Sequence, residues 1–315
     1  MRPVVIAHRG ASGYLPEHTL PAKALAYAMG ADYLEHDIVA TRDDALVVLH
    51  DIHLDRVTDV AQRYPGRCRE DGRFYVRDFD LAEIKGLVVR ERVNPDGSLV
   101  YPNRFKESAD DFRVQTFAEE LEFIRSLARA HGRQVGIYPE IKRPEWHRGE
   151  GVDITPEFLR TLADYGYTEH SDPVYVQCFD AAELRRLRHE FGCRVKLVQL
   201  IAEDSWGESS THYAPLRTQK GLERLAKTAD AIGPWLKRAY RLRKRDGRLT
   251  PSGLVQRAHQ VGLAVHPYTF RSDELPAGFA TFDDLLAFFI DELAIDGLFT
   301  DFPDLALKFL RRISG

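Results

Sequence analysis

The chain has 315 residues, 44 Lys and Arg against 48 Asp and Glu, a formal net charge of −4 and 44% hydrophobic residues. That much apolar mass excludes a disordered chain, and the mildly acidic balance excludes the broad basic footprint of a nucleic-acid-binding surface. Three cysteines, Cys68, Cys178 and Cys193, without CxxC spacing suggest neither a disulfide framework nor a zinc ribbon. The longest apolar run, residues 285–290, falls far short of the ~20 residues of a membrane helix. Met1-Arg2-Pro3 leads straight into an apolar strand-like run with no signal-peptide core, so the sequence as it stands predicts a cytoplasmic protein. A processed or recloned mature form of a periplasmic protein would read the same way.

In chain order, short β-branched and apolar runs alternate with longer stretches of helical period. Strands are predicted at 4–8, 33–39, 136–141, 174–179, 196–201, 231–234, 264–268 and 297–300. Helices are predicted at 20–29, 117–131, 181–191, 221–229, 252–261 and 282–293. Eight strands with crossover helices imply an α/β fold, a TIM (β/α)8 barrel, and one domain over the whole chain. The second strand continues, after the turn residues Arg42-Asp43-Asp44, into a hairpin-like extension at 45–50. Residues 51–113 then interrupt the rhythm with a charged stretch carrying Pro65-Gly66 and Pro95-Asp96-Gly97. They read as an inserted subdomain that caps the site, because long insertions in compact folds are usually functional. Residues 237–248 hold seven Lys and Arg against Asp246 alone. They read as a solvated loop or helix face, or as a surface that steers anions.

Chemistry-bearing residues collect at strand ends, where a βα barrel aims side chains at one point. The first strand ends in His8-Arg9-Gly10, the second carries Glu35-His36-Asp37, its extension ends in His50-Asp51, and the third ends in Glu140-Ile141-Lys142. Two residues apart on a strand, Glu35 and Asp37 share a face while His36 takes the other. Two buried carboxylates side by side take up a proton or share a cation, and Glu140 could supply a third oxygen. Three acids without cysteine favour Mg²⁺ or Ca²⁺ over zinc. The alternative is an ion-pair network in which these acids meet Arg9 and Lys142 alone. His8 and His50 are candidates for a general acid and base pair, and Arg9 and Lys142 for phosphate binding. Phe179, with Trp146, Trp206 and Trp235, is a candidate apolar wall for glycerol or a cationic headgroup. Metal, cations and histidines together describe phosphoryl transfer on a small ester.

Residues 4–51, with IAHRG, PEHT, YLEHD and VVLHD, resemble the signature of the glycerophosphodiester phosphodiesterase family. IYPEIK at 137–142, VYVQCFD at 174–180, LVQLIAEDSW at 197–206, VHPYTFRSDELP at 265–276 and GLFTDFPD at 297–304 resemble its branch of periplasmic bacterial enzymes. The resemblance implies a TIM barrel with a small insertion after the second strand. It also implies metal-dependent hydrolysis of glycerophosphodiesters, such as glycerophosphocholine and glycerophosphoethanolamine, to sn-glycerol 3-phosphate and an alcohol. By motif it assigns His8 and His50 to catalysis, Glu35, Asp37 and Glu140 to one divalent cation, and Arg9 and Lys142 to the substrate. The branch favours Ca²⁺, with Mg²⁺ the second choice. His18 stands where many members carry Asn. Competing readings are a phospholipase-like lyase acting on intact lipids and a non-catalytic metal- and phosphate-binding surface protein.

Overall fold

The computed structural model describes residues 2–106 and 112–314, so part of the predicted insertion lies outside the described residues. The strands are β1 (Val4–Ala7), β2 (Tyr33–Ala40), β3 (Leu46–Val48), β4 (Gly136–Ile141), β5 (Tyr175–Cys178), β6 (Lys196–Ile201), β7 (Ala231–Pro234), β8 (Tyr240–Arg243), β9 (Arg248–Pro251), β10 (Ala264–Val265) and β11 (Gly297–Thr300). Eight of them run parallel in the order β10-β7-β6-β5-β4-β2-β1-β11, and β3 folds back antiparallel on β2. Asp296 N–H donates to Val265 O at 3.0 Å and Phe270 N–H to Phe299 O at 2.8 Å, which brings the two ends of this order together. The fold is a TIM barrel, as the eight apolar runs imply.

A barrel strand buries both faces, one in the barrel and one under helices, and β2 is buried from Leu34 to Ala40. Ile6, Tyr138, Val198, Ala231 and Phe299 fill the interior, where the Tyr138 and Phe299 rings meet edge to face at 4.9 Å. Burying each such side chain contributes roughly 1.5–3 kcal/mol over leaving it in water. His36 faces the other layer, its Nε2 3.2 Å from Glu120 Oε2 of the helix Phe117–His131. That helix starts with a capping box, Thr116 Oγ1 accepting from Glu119 N–H and Glu119 Oε2 from Thr116 N–H, and ends at Gly132.

The structure departs from the sequence reading at several elements, among them the helix Pro303–Ser314, which the reading does not include. Helix Ile154–Asp164 covers the β4–β5 crossover and was not predicted. The predicted helices at 181–191 and 282–293 each begin as α-helix and finish as a π-helical turn, Arg186–Glu190 and Phe288–Glu292. The basic stretch 237–248 runs from a turn at 237–239 through β8 to an exposed turn at 244–247 and into β9, so part of the expected solvated loop or helix face is instead an antiparallel hairpin. The predicted strand 264–268 shortens to β10 because Pro267 has no N–H for a ladder, and pairing resumes at the Trp235–Tyr268 bridge.

Leu54, Val57, Phe74, Phe79 and Val89 form an apolar cluster that rests on Val39 and Val47 of β2 and β3. No helix of the described residues is long and apolar enough to cross a membrane.

Candidate active site

Strand register builds the centre. Asp37 pairs across the sheet with Glu140 and Glu140 with Gln177, so neighbouring strands aim these side chains to one side. Glu35, Asp37, Glu140 and Gln177 line a cavity of about 410 Å³ together with His8, Arg9 and His50. The chain enters it by a tight turn after β1, with Arg9 at φ 59° and Gly10 at φ 86°. A Cβ on Gly10 would meet the Ala22 carbonyl carbon at 2.8 Å, so glycine is required there for space as well as for conformation.

Each histidine is held by its own carboxylate. His8 Nδ1 lies 2.7 Å from Asp301 Oδ1, and His50 Nδ1 lies 2.6 Å from Asp51 Oδ1. These bonds favour the Nδ1–H tautomer and leave Nε2 of each ring for chemistry. His50 Nε2 is 3.4 Å from the Lys142 ammonium, which is a donor only and so agrees with that tautomer. Burial, then the Arg9 charge, lowers the His8 pKa to about 4, against the pull of Asp301. Burial followed by Arg9 and Lys142 lowers that of His50. Both rings are therefore neutral at neutral pH. Burial pushes Asp301 up, but Arg271, His8 and Arg104 outweigh it and hold the carboxyl well below its usual range.

The three acids crowd one another. Burial and the neighbouring Asp37 drive Glu35 well above its usual range. Burial drives Glu140 the same way, with Lys142 opposing and Asp37 assisting. His18 Nε2 is 2.8 Å from Asp37 Oδ2, while Asp37 Oδ1 is buried without a hydrogen-bond partner among the described residues. One ligand atom from each of His18, Glu35 and Asp37 lies within 4.8 Å of the others, an arrangement that suits a divalent cation. Glu140 sits beside them with Oε1 2.9 Å from Lys142 Nζ.

Arg9 N–H donates to Glu35 Oε2 at 2.6 Å and its guanidinium to Glu17 Oε2 at 2.9 Å. Lys142 is only 2% exposed, its ammonium 2.9 Å from Glu140 and 3.9 Å from Glu208, so it stands behind the acids rather than open to solvent. Phe179 lines the cavity, as do Trp206 and Trp235, whose rings meet edge to face at 5.0 Å. The expected apolar wall is corrected at Trp146, which instead stacks on Tyr75 of the insertion at 5.8 Å.

Sequence reasoning gave no role to Glu17, Asp51, Glu208, Arg271 or Asp301, although Asp301 follows β11 just as His8 follows β1, the same strand-end signal. His18 stands out in the sequence only as a replacement for Asn.

The family model described as "Glycerophosphoryl diester phosphodiesterase family" matches residues 8–305. A glycerophosphodiester phosphodiesterase of Haemophilus influenzae is 43% identical over 98% of this chain and 90% of its own. One of Treponema pallidum is 38% identical over 98% of this chain and 91% of its own. A solved structure from Silicibacter pomeroyi shares the fold at TM-score 0.72 and 21% identity, covering 99% of this chain and 94% of that one. The chain belongs to the glycerophosphoryl diester phosphodiesterase family and is a phosphoric diester hydrolase.

Proposed function

We propose that the enzyme hydrolyses glycerophosphodiesters such as glycerophosphocholine and glycerophosphoethanolamine to sn-glycerol 3-phosphate and an alcohol, by histidine acid–base catalysis with a divalent cation. The observation that carries the reading is the pair of carboxylate-held histidines, His8 on Asp301 and His50 on Asp51, facing one cavity that also holds Glu35, Asp37 and Glu140. Glu35, Asp37 and Glu140 would hold the cation, and the unpartnered Asp37 Oδ1 together with the crowding of three acids fits that role. His18 then orients Asp37 through Oδ2 and leaves Oδ1 to the cation. When bound, the cation, Ca²⁺ by preference and Mg²⁺ otherwise, neutralises charge on the phosphoryl oxygens.

Arg9 and Lys142 add positive charge beside the same oxygens. His8 Nε2 takes the proton of the attacking oxygen as its bond to phosphorus forms. His50, whose ring rests neutral, would first take up a proton from solvent at Nε2, then give it to the leaving alcohol oxygen as the old P–O bond breaks and return to its neutral form. Phe179, Trp206 and Trp235 shape the alcohol side of the cavity, whose lining includes no described residue of 51–113.

The test is release of glycerol 3-phosphate from glycerophosphocholine by EDTA-stripped protein, alone and with Ca²⁺ or Mg²⁺ restored, beside His8→Ala and Glu35→Ala. Cation-dependent turnover that both variants lose is the expected result. Full turnover by metal-free protein, or by His8→Ala, overturns the mechanism. Absence of turnover by folded, metal-loaded wild type on any glycerophosphodiester overturns the substrate class.

A further inference from the structure

We infer that Arg92 and Arg104, both contributed by the insertion, are positioning residues for the two histidines, each gripping the carboxylate that orients one imidazole. The inference rests on the acid–base reading proposed above.

The two arginines do the same thing, one for each histidine. Arg92 Nη1 donates to Asp51 Oδ2 at 2.6 Å, while Asp51 Oδ1 meets His50 Nδ1 at 2.6 Å. Arg104 Nη2 donates to Asp301 Oδ2 at 2.7 Å, while Asp301 Oδ1 meets His8 Nδ1 at 2.7 Å. In both cases one carboxylate oxygen faces the ring and the other faces a guanidinium, so the carboxylate cannot rotate without breaking a charge-assisted bond. Both guanidiniums are themselves fixed by a second acid. Arg92 grips Glu17 through Nε and Nη2 at 3.0 and 2.6 Å, and Arg104 grips Asp273 through Nε and Nη2 at 2.8 and 3.0 Å. Their side chains are 9% and 4% exposed, so they are buried beside the carboxylates they hold rather than lying on the surface.

This arrangement gives the insertion a part in the chemistry although none of its described residues lines the cavity. A planar fork with five donors can hold two carboxylates at once, which a lysine ammonium does with less geometric control. The Glu17 held by Arg92 also accepts from Arg9, so one guanidinium links His50, through Asp51, to the arginine expected on the phosphate. The two sides are not equal. Asp301 has a further cationic partner, Arg271 Nε at 2.7 Å, whereas Asp51 has Arg92 and His50 alone among the described residues. Loss of Arg92 should therefore harm turnover more than loss of Arg104.

The experiment uses metal-loaded Arg92→Met and Arg104→Met, with His8→Ala and His50→Ala as references. Three readouts are taken: steady-state kinetics on glycerophosphocholine, ¹⁵N NMR of the histidine ring nitrogens, and rescue of Arg92→Ala by millimolar guanidinium. Arg92→Met should lower kcat by about 10- to 100-fold with KM within about twofold, and Arg104→Met by less. The His50 ring should lose its Nδ1–H preference in Arg92→Met, and guanidinium should restore part of the kcat of Arg92→Ala. Should Arg92→Met not fold, Arg92→Lys serves in its place, with an intermediate kcat and the same ring signature.

Wild-type kcat in both folded variants, while His8→Ala and His50→Ala are inactive, overturns the inference and leaves the acid–base reading standing. A fall in kcat with unchanged ring tautomers and no guanidinium rescue also overturns it, since that is what a purely structural role would give. Active His8→Ala and His50→Ala would overturn the acid–base reading itself, and the inference with it.

Discussion

Replacing Asp301 by Asn should disable His8 as a base while leaving the barrel folded. Asp301 Oδ2 accepts from Arg104 Nη2 and Arg271 Nε, each at 2.7 Å, and Oδ1 meets His8 Nδ1 at 2.7 Å. An asparagine must keep its carbonyl oxygen toward the two guanidiniums, because its NH2 would set donors against donors there. The NH2 then faces His8 Nδ1, which accepts only when unprotonated, and the ring proton moves to Nε2, where the lone pair is needed. General acid–base catalysis contributes typically 10²- to 10⁴-fold, so kcat should fall by that factor, about 3–5 kcal/mol in barrier height. The loss of a negative charge among three buried cation-capable groups should also cost about 1–3 kcal/mol of stability, small enough for the fold to survive. The assay is kcat and KM on glycerophosphocholine for Asp301→Asn, His8→Ala and the double variant, with urea unfolding as the control. His8→Ala should mask the Asp301→Asn effect, since both remove one function. A folded Asp301→Asn with kcat within about threefold of wild type, or losses that multiply in the double variant, would refute the tautomer argument.

Stability should fall as the pH drops from 6.5 toward 4. His147 Nδ1 donates to Arg143 O at 3.0 Å and its Nε2 accepts from Ala40 N–H at 3.1 Å, and burial lowers its pKa to about 4. Because the folded pKa lies below the unfolded one, the unfolded chain binds the extra proton in this window, and His147 alone accounts for about 3 kcal/mol between the two ends. His147→Gln should flatten the pH dependence of the urea midpoint there, and an unchanged slope would reject the assignment. Phe179→Ala should raise KM for glycerophosphocholine about tenfold, as loss of ~1.5 kcal/mol of apolar contact implies, with kcat nearly unchanged. Equal KM for every headgroup removes Phe179 from the site. Gly136→Ala would place a Cβ 2.3 Å from the Tyr33 ring and 2.9 Å from Pro173 O, and should destabilise the protein by about 1–3 kcal/mol. A wild-type urea midpoint would show that the barrel floor yields more easily than its packing implies.

Much of the barrel was legible because its strands are short apolar runs bounded by turn residues, and much of the centre because motifs such as His8-Arg9-Gly10 and Glu35-His36-Asp37 fall at strand ends. Helix Ile154–Asp164 was hidden by Gly151 and Pro156, which read as breakers, yet Pro156 occupies the first turn, where its missing N–H costs nothing. The basic hairpin was hidden by charge, since a run of exposed Arg and Lys shows no period of either two or 3.6. Asp301 stands out in the sequence only as part of GLFTDFPD, because its meaning depends on the pairing of β1 with β11, far apart along the chain. Arg92 and Arg104 carried no signal at all, for an insertion without periodicity does not disclose which of its many arginines point inward.

The pairing of β1 with β11 sets a limit on the birth of the active protein. Val4 to Ala7 lie against Gly297 to Thr300, and His8 draws its partner from the residue just past that pairing. Translation makes His8 293 residues before Asp301, so the imidazole lacks its orienting partner until that whole stretch has been made. A nascent or truncated product ending before residue 301 could carry every other motif and still lack a properly held His8.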